Sequence, residues 1–238
     1  GILLVPNSFL KPEYAYTFES GIKFTSSNKI NYIDLRGFTT LVSRHIVRSD
    51  FIVFSDISTP NENTILYNGE EVSTQANKNL GNRYIFGCSL QGKWMLSDPF
   101  EISGGITYNS ADQNPDYGPM PSIAPLFGTL ILSNEVKKLK TLLIWKFSKR
   151  KFPTDYSWGG EDGLNETPIV NPDSPLLINK YYGMPSWNTL SIMSQYKFGK
   201  FIVLNIGLKN IFDLHYRTFA SGISAEGRSL QLGLKVKI

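Results

Sequence analysis

The chain has 238 residues, of which 41% are hydrophobic and 13% aromatic, so it is long enough to bury a core as one domain or two. Its net charge of +4 is small and evenly spread, which argues against nucleic acid as a partner. The single cysteine, Cys88, excludes an intrachain disulfide and a thiolate metal site, and no apolar run is long enough for a transmembrane helix.

Nine segments are predicted as β-strands. In several of them apolar and polar residues alternate with a period of two, which is typical of strands with two different faces, and the segment 30–44 has a less regular pattern. In the first segment, single small or polar residues separate the aromatic side chains of Tyr14, Tyr16 and Phe18. Helical periodicity never lasts for more than a turn or two, so the predicted fold class is all-β. In chain order the predicted strands are 14–24, 30–44, 83–93, 100–108, 124–134, 138–149, 187–198, 200–213 and 228–238.

The last predicted strand raises the question of which face is inside. From Leu230 to Ile238 every second residue is leucine, valine or isoleucine, and the residues between them are polar or glycine. A soluble β-sandwich would bury the leucines in a core. A membrane barrel would expose them to lipid and keep Lys235 and Lys237 in a wet lumen.

The connections between the predicted strands fall into two groups. Consecutive antiparallel strands place the short connections at one end of a sheet and the long ones at the other, as outer-membrane barrels do. Several strands also have about ten to fourteen residues, enough to cross a bilayer at a tilt. These features favour an antiparallel transmembrane β-barrel, with the leucines facing lipid, over a soluble β-sandwich. The tight turns are predicted at 26–29, 96–98, 134–137 and 199–200, and the long polar loops at 46–76, 110–122, 151–186 and 217–226.

Three stretches of the chain carry more specific motifs. Val5–Lys23 contains an altered Asn-Pro-x-Leu-x-Pro-Glu box followed by a glutamate and Gly-Ile-Lys, and Pro119–Ser133 contains a Pro-x-Ile-x-Pro-x-x-Gly strand entry. Leu208–Ile238 contains Asn-x-Phe-Asp and a later Gly-Arg before the final strand. Together they resemble the C-terminal barrel portion of TonB-dependent outer-membrane receptors. The chain departs from that family at Ile238, because the family usually ends in an aromatic residue.

The resemblance implies that residues 1–238 are the C-terminal part of a receptor barrel and supply about nine of its roughly 22 strands. The family's signal peptide, TonB box, plug domain and early strands are not recognisable in the sequence. We therefore expect the plug and the remaining barrel strands on another segment or another chain.

The resemblance also implies a function. It points to a protein of the bacterial outer membrane, in contact with its lipid, that imports a bulky scarce nutrient of the iron–siderophore, haem or cobalamin class. The TonB complex would open it by acting on the missing plug. No enzyme activity and no cofactor are predicted, because no catalytic motif occurs in a suitable context. The alternative is a structural or adhesion barrel whose external loops bind protein or polysaccharide.

The loop 151–186 is the main candidate for ligand contact. It holds Tyr156, Trp158, Tyr181 and Tyr182, and exposed aromatic rings on a rigid rim suit a bulky chelate or macrocycle. The alternative is that these rings only pack the loop onto its neighbours. His215 is a weaker candidate for a haem or metal ligand, because no second histidine or cysteine lies at ligand spacing.

Two charged runs are predicted to be solvated. The run 146–151 (KFSKRK) has the pattern of a solvated strand end. The run 159–163 (GGEDG) lacks the alternating oxygen ligands of a calcium loop, so a solvated turn is favoured there. No metal site is predicted. We expect Arg217 and Arg228 to make structural contacts near the rim and lumen.

Overall fold

A computed structural model describes residues 1–52, 63–115 and 117–236. Helix is confined to α1 (Leu177–Lys180) and to 3-10 turns at Pro153–Asp155 and Leu164–Glu166. Across these described residues, no helix is both long and apolar enough to cross a membrane. In chain order the strands are β1 (Ile2–Leu4), β2 (Tyr14–Thr25), β3 (Tyr32–Ser43), β4 (Ile46–Asp50), β5 (Thr64–Tyr67), β6 (Glu70–Asn79), β7 (Arg83–Ser97), β8 (Phe100–Ala111), β9 (Gln113–Asn114), β10 (Gly118–Pro119), β11 (Phe127–Val136), β12 (Leu139–Ser148), β13 (Trp187–Phe198), β14 (Ile202–Lys209) and β15 (Ser229–Val236).

The nine predicted strands are all present as neighbours in one sheet, with the order β15-β14-β13-β12-β11-β8-β7-β3-β2. The pairs from β8 to β15 are antiparallel and keep an unbroken register. Left-handed residues form three of the predicted tight turns, since Lys29, Lys137 and Gly199 have φ of 58°, 54° and 63°. The predicted antiparallel all-β sheet is therefore confirmed. Lys237 and Ile238 of the last predicted strand lie outside the described residues.

The sheet has one apolar and one polar face from β8 to β15, as the alternation predicts. Residues directly opposite each other in an antiparallel pair lie on the same face. Leu232 faces Ile206 and Leu234 faces Leu204, whereas Gly233 faces Asn205. The apolar row continues through Tyr196, Leu139 and Val136, each in register with the next. Leu232 is 70% exposed, so this sheet itself does not bury the apolar face.

The predicted loop 46–76 is wrong in part, because strands β4, β5 and most of β6 lie within it. The sequence of β6, EEVSTQANKN, contains few apolar residues, and it therefore has the composition of a loop. In the structure Val72, Thr74 and Ala76 are nevertheless buried on one face of β6. Residues 53–62 of this predicted loop lie outside the described part of the chain.

Two compact units make up the chain. Residues 1–17 and 40–85 form the first, in which β6 pairs in parallel with β1 and antiparallel with β4 and β5. In this unit one carboxylate oxygen of Glu13 lies 2.9 Å from Nδ1 of the buried His45 and accepts a hydrogen bond from the Ile46 amide. Residues 18–39 and 86–238 form the second unit, which contains the larger part of the nine-stranded sheet. The loops after β8, β12 and β14 also belong to it.

Candidate functional site

The loop between β12 and β13 is closed at its base by backbone pairing. Lys151 bridges Met184, and Ile169 bridges Tyr181, so the chain returns to its starting point before β13 begins. Pro153 is the first residue of a 3-10 turn, a position at which a backbone N–H makes no hydrogen bond within the turn, so proline is tolerated there. Gly163 has a φ of 68°, a conformation that favours glycine. The loop 151–186 is thus an ordered element of irregular structure.

A buried ion pair lies at the base of this loop. The Lys151 Nζ and an Asp162 carboxylate oxygen are 3.4 Å apart, and their side chains are only 3% and 1% exposed. Lys151 Nζ also donates to the Ile123 carbonyl at 2.7 Å. Asp162 accepts from the backbone amides of Ser122 and Ser157. Burial lowers the pKa of Lys151, and the neighbouring Asp162 opposes this shift.

The two predictions of solvated charge are therefore wrong at Lys151 and Asp162. Both residues lie in polar runs of the sequence, and neither run has a periodic pattern that signals burial. Their pairing depends on the path of the loop, which brings residues eleven positions apart into contact. Glu161 fits the prediction better, because it is exposed at the edge of the cluster, where its carboxylate accepts a hydrogen bond from the Ser157 hydroxyl.

Tyr156 lies inside the loop base, which differs from the prediction of an exposed ring. Its side chain is 3% exposed, and its hydroxyl accepts a hydrogen bond from the Met184 amide at 3.1 Å. Burial raises the pKa of Tyr156 to about 12. Its ring meets Phe219 of the loop after β14 edge to face, with 6.2 Å between ring centroids. The contacts of Tyr156 hold the loop in place.

The loop after β14 packs against the same base. Lys151 Nζ lies 4.1 Å from the centroid of the Phe219 ring, within the range of a cation–π interaction. The Arg217 guanidinium lies 3.5 Å from a Glu166 carboxylate oxygen. Arg228 forms a similar pair with Asp213 at 3.7 Å. Both arginines therefore make structural contacts, as predicted from the sequence.

Trp158 extends from the loop into solvent and also touches a third loop. Its side chain is 64% exposed, the largest fraction among the four predicted aromatic ligand contacts. A Cβ atom at Gly118 would lie 2.6 Å from the indole, and Gly118 also has a φ of 72°. Only glycine satisfies both conditions. The indole therefore lies directly against the backbone of the loop after β8.

The other three predicted ligand contacts lie on two different loops. Tyr182 is 37% exposed, and its ring centroid is 3.5 Å from the Arg150 guanidinium carbon. Tyr181 is half-buried, and its backbone forms the bridge to Ile169. His215 is exposed in the loop after β14, where one ring nitrogen lies 2.9 Å from the Ser224 hydroxyl. The described residues contain no group of three histidine, cysteine or carboxylate side chains that could hold a metal ion.

Comparison with known proteins gives consistent results. Residues 1–211 match the family model described as TonB dependent receptor-like, beta-barrel. No curated protein matches the chain. Among solved structures, the siderophore receptor PirA of Acinetobacter baumannii is 19% identical with a TM-score of 0.71, covering 98% of this chain and 33% of that one.

Two further solved structures have the same fold over nearly the whole chain. A mutant of the ferric enterobactin receptor PfeA of Pseudomonas aeruginosa, in complex with enterobactin, is 15% identical with a TM-score of 0.69 and covers 99% of this chain and 33% of that one. The FrpB iron transporter of Neisseria meningitidis is 12% identical with a TM-score of 0.64, and the match covers 98% of this chain and 33% of that one. The chain thus spans about a third of the length of these proteins.

Proposed function

Because the chain belongs to the TonB dependent receptor-like β-barrel family, we propose that it forms part of the wall and outer rim of a transporter for a bulky scarce nutrient. The family is one of receptors and transporters of the bacterial outer membrane. The nutrient class is an iron–siderophore, haem or cobalamin, and the similarity to siderophore and iron receptors favours the first. A plug elsewhere in the full receptor would couple uptake to the TonB complex.

The observation that carries this proposal is the continuous apolar face of the sheet. A face that stays exposed from β8 to β15 is explained if lipid is its solvent, because water would make that exposure unfavourable. The opposite face carries Lys140, Lys197 and Lys235, which suit a hydrated lumen. The remaining barrel strands would pair with the edge strands β2 and β15.

Cys88 provides a native probe for this orientation. It is exposed on β7 between Phe86 and Leu90, in phase with the apolar side chains of that strand. A spin label attached to Cys88 in the reconstituted receptor is expected to collide more with lipid-soluble oxygen than with a water-soluble nickel chelate. At position 89 the preference is expected to reverse, in a Cys88→Ser and Ser89→Cys double variant. Equal access of the nickel chelate to both positions would contradict the lipid-facing assignment.

The outer rim is the proposed place of ligand capture. Trp158 and Tyr182 present exposed aromatic surface there, Tyr181 lies on the same loop, and His215 lies on the loop after β14. Tyr156 is assigned to positioning the loop rather than to contacting the ligand, because its ring is buried under the loop. Aromatic side chains on an ordered loop lose little entropy on binding, which makes them effective anchors.

Removing the Trp158 ring is expected to weaken ligand binding by about 2 kcal/mol, or roughly 30-fold in Kd, because true anchor residues have effects of this size. The measurement is binding of labelled ferric siderophores, haem and cobalamin to intact cells, normalised to surface-exposed receptor. Phe201→Ala is the matched control, since Phe201 is 63% exposed but lies at the short turn between β13 and β14.

The same cells test the function as a whole. Uptake of the bound nutrient is expected to stop when the TonB complex is deleted, while surface binding continues. Uptake that persists without that complex would contradict the transport proposal. Binding that is unchanged in both Trp158→Ala and Tyr182→Ala variants would instead place the ligand on other loops or on the plug.

A further inference from the structure

A cavity of about 330 Å³ lies beside the ion-pair cluster, between the end of β8, the loop that leads into β11, and the residues that follow β12. Its size is at the lower end of the range for small-molecule pockets. Met120, Ile123, Leu126 and Phe152 supply apolar lining, and Asn109 and Gln113 supply amide groups. Mixed apolar and hydrogen-bonding walls of this kind suit one amphipathic chemical group.

Arg150 is a positively charged residue of the cavity lining, and neighbouring side chains fix its position. Its guanidinium carbon lies 3.5 Å from the ring centroid of Tyr182 and 4.6 Å from that of Phe152, so two aromatic rings fix its plane. One terminal nitrogen donates to the Tyr182 carbonyl at 2.7 Å. The Nε–H is buried and has no acceptor among the described residues. A ligand cannot reach this buried atom, but an arginine side chain has five N–H donors, and the terminal groups that do not contact the Tyr182 carbonyl retain capacity to bind an anion.

The charges around the cavity define the kind of anion. Lys149 and Lys151 also line it, and the charge of Lys151 is already paired with Asp162. In the described part of the chain, no carboxylate forms an ion pair with the Arg150 guanidinium. Asp112 and Asp155 add negative charge to the lining. A planar carboxylate can accept two parallel hydrogen bonds from the guanidinium fork, which favours a carboxylate as the bound anion.

We propose that this arginine cavity binds a carboxylate carried on a small apolar or aromatic group, with Arg150 as the anion-binding residue. The inference rests on the proposed function for the source of this group, which is an acidic arm of the imported ligand. The ring of Tyr182 then has a second role besides any contact with the ligand, because it holds Arg150 in position. The cavity sits at the base of the loop 151–186, so it would engage the ligand below the exposed Trp158.

Benzoate and its neutral analogue benzamide are the probes for this proposal. Saturation-transfer NMR titration of the purified full-length protein that contains this chain is expected to show benzoate binding and little benzamide binding. Arg150→Met should weaken benzoate binding by ~10-fold or more, as expected for the loss of a charged hydrogen bond. Arg228→Met removes an equally charged side chain outside the cavity and should leave benzoate binding unchanged.

A second variant keeps the test decisive if Arg150→Met disturbs the loop. Asp155→Asn removes one negative charge from the lining, and benzoate should then bind about 3-fold more tightly. Equal affinity for benzoate and benzamide, or no response to either substitution, would overturn the proposal. Benzoate binding needs neither the TonB complex nor transport. A failure here therefore leaves the uptake experiment untouched, and a protein without uptake can still pass this test.

Discussion

Asp162→Asn is expected to destabilise the loop 151–186 by about 3–5 kcal/mol, because it leaves the buried ammonium of Lys151 without its counter-charge. The amide oxygen at position 162 can still accept from the Ser122 backbone, and only the longer 3.4 Å bond from the Ser157 amide loses its acceptor, so the loss is mainly electrostatic. The pKa of Lys151, already lowered by burial, should fall further. Hydrogen exchange at the Ser122, Ser157 and Met184 amides measures the effect, since these donors lie on the cluster.

A double variant separates charge from shape in this experiment. Lys151→Met with Asp162→Asn removes both charges and keeps the acceptor for Ser122, so much of the lost protection should return. Glu161→Gln is the control, because Glu161 is adjacent in sequence and contributes one hydrogen bond at the edge of the cluster. If Glu161→Gln and Asp162→Asn increase exchange equally, the ion pair is not what holds the loop.

Leu232→Arg is expected to cost about 2–4 kcal/mol of folding free energy in a bilayer, because an arginine on the lipid face near the midplane loses its hydration. Leu232 is central in β15 and directly opposite Ile206, so the new charge has only apolar neighbours across the strand pair. Chemical denaturation of the reconstituted receptor gives the free energy. The fraction that migrates as folded barrel in unheated gels gives the yield.

Gln231→Arg is the matched control for the face assignment. It lies next to Leu232 on the same strand but on the polar face, opposite Gly207, which leaves space for a longer side chain. Its cost should stay below about 1 kcal/mol, as usual for a surface substitution on a hydrated face. Similar losses at positions 231 and 232 would mean that the apolar face does not contact lipid.

The nine-stranded sheet is largely predictable from sequence because period two marks strands such as β2, β8 and β15, although β3 and β12 follow it less regularly. The tight turns are predictable for a related reason, as they fall where Asn, Gly, Ser and Lys residues interrupt that period. Strand β6 is not predictable in this way. Val72 and Ala76 are its only aliphatic residues, so composition cannot distinguish its alternation from a polar loop.

The loop that holds the predicted ligand contacts is predictable in position but not in detail. The aromatic-rich segment between β12 and β13 is recognisable in the sequence, and Trp158 is exposed there as expected. The burial of Tyr156 is not predictable in this way, because it depends on Met184 and on Phe219 from a different loop. Long-range contacts between irregular segments leave no local period in the sequence. Whether Trp158, Tyr181, Tyr182 and His215 touch ligand stays a prediction.

The contact of Phe219 with Lys151 and Tyr156 has a consequence for exchanging loops between related receptors. A graft that transfers residues 151–186 alone would leave a cation and a phenol facing a foreign surface where Phe219 now packs. Gly118 adds a second dependence, since any side chain there would collide with Trp158. The transferable unit is therefore a set of three segments from separate parts of the chain. A recombination crossover between Gly118 and Phe219 would separate members of this set, so chains that recombine within this stretch should need compensating point substitutions.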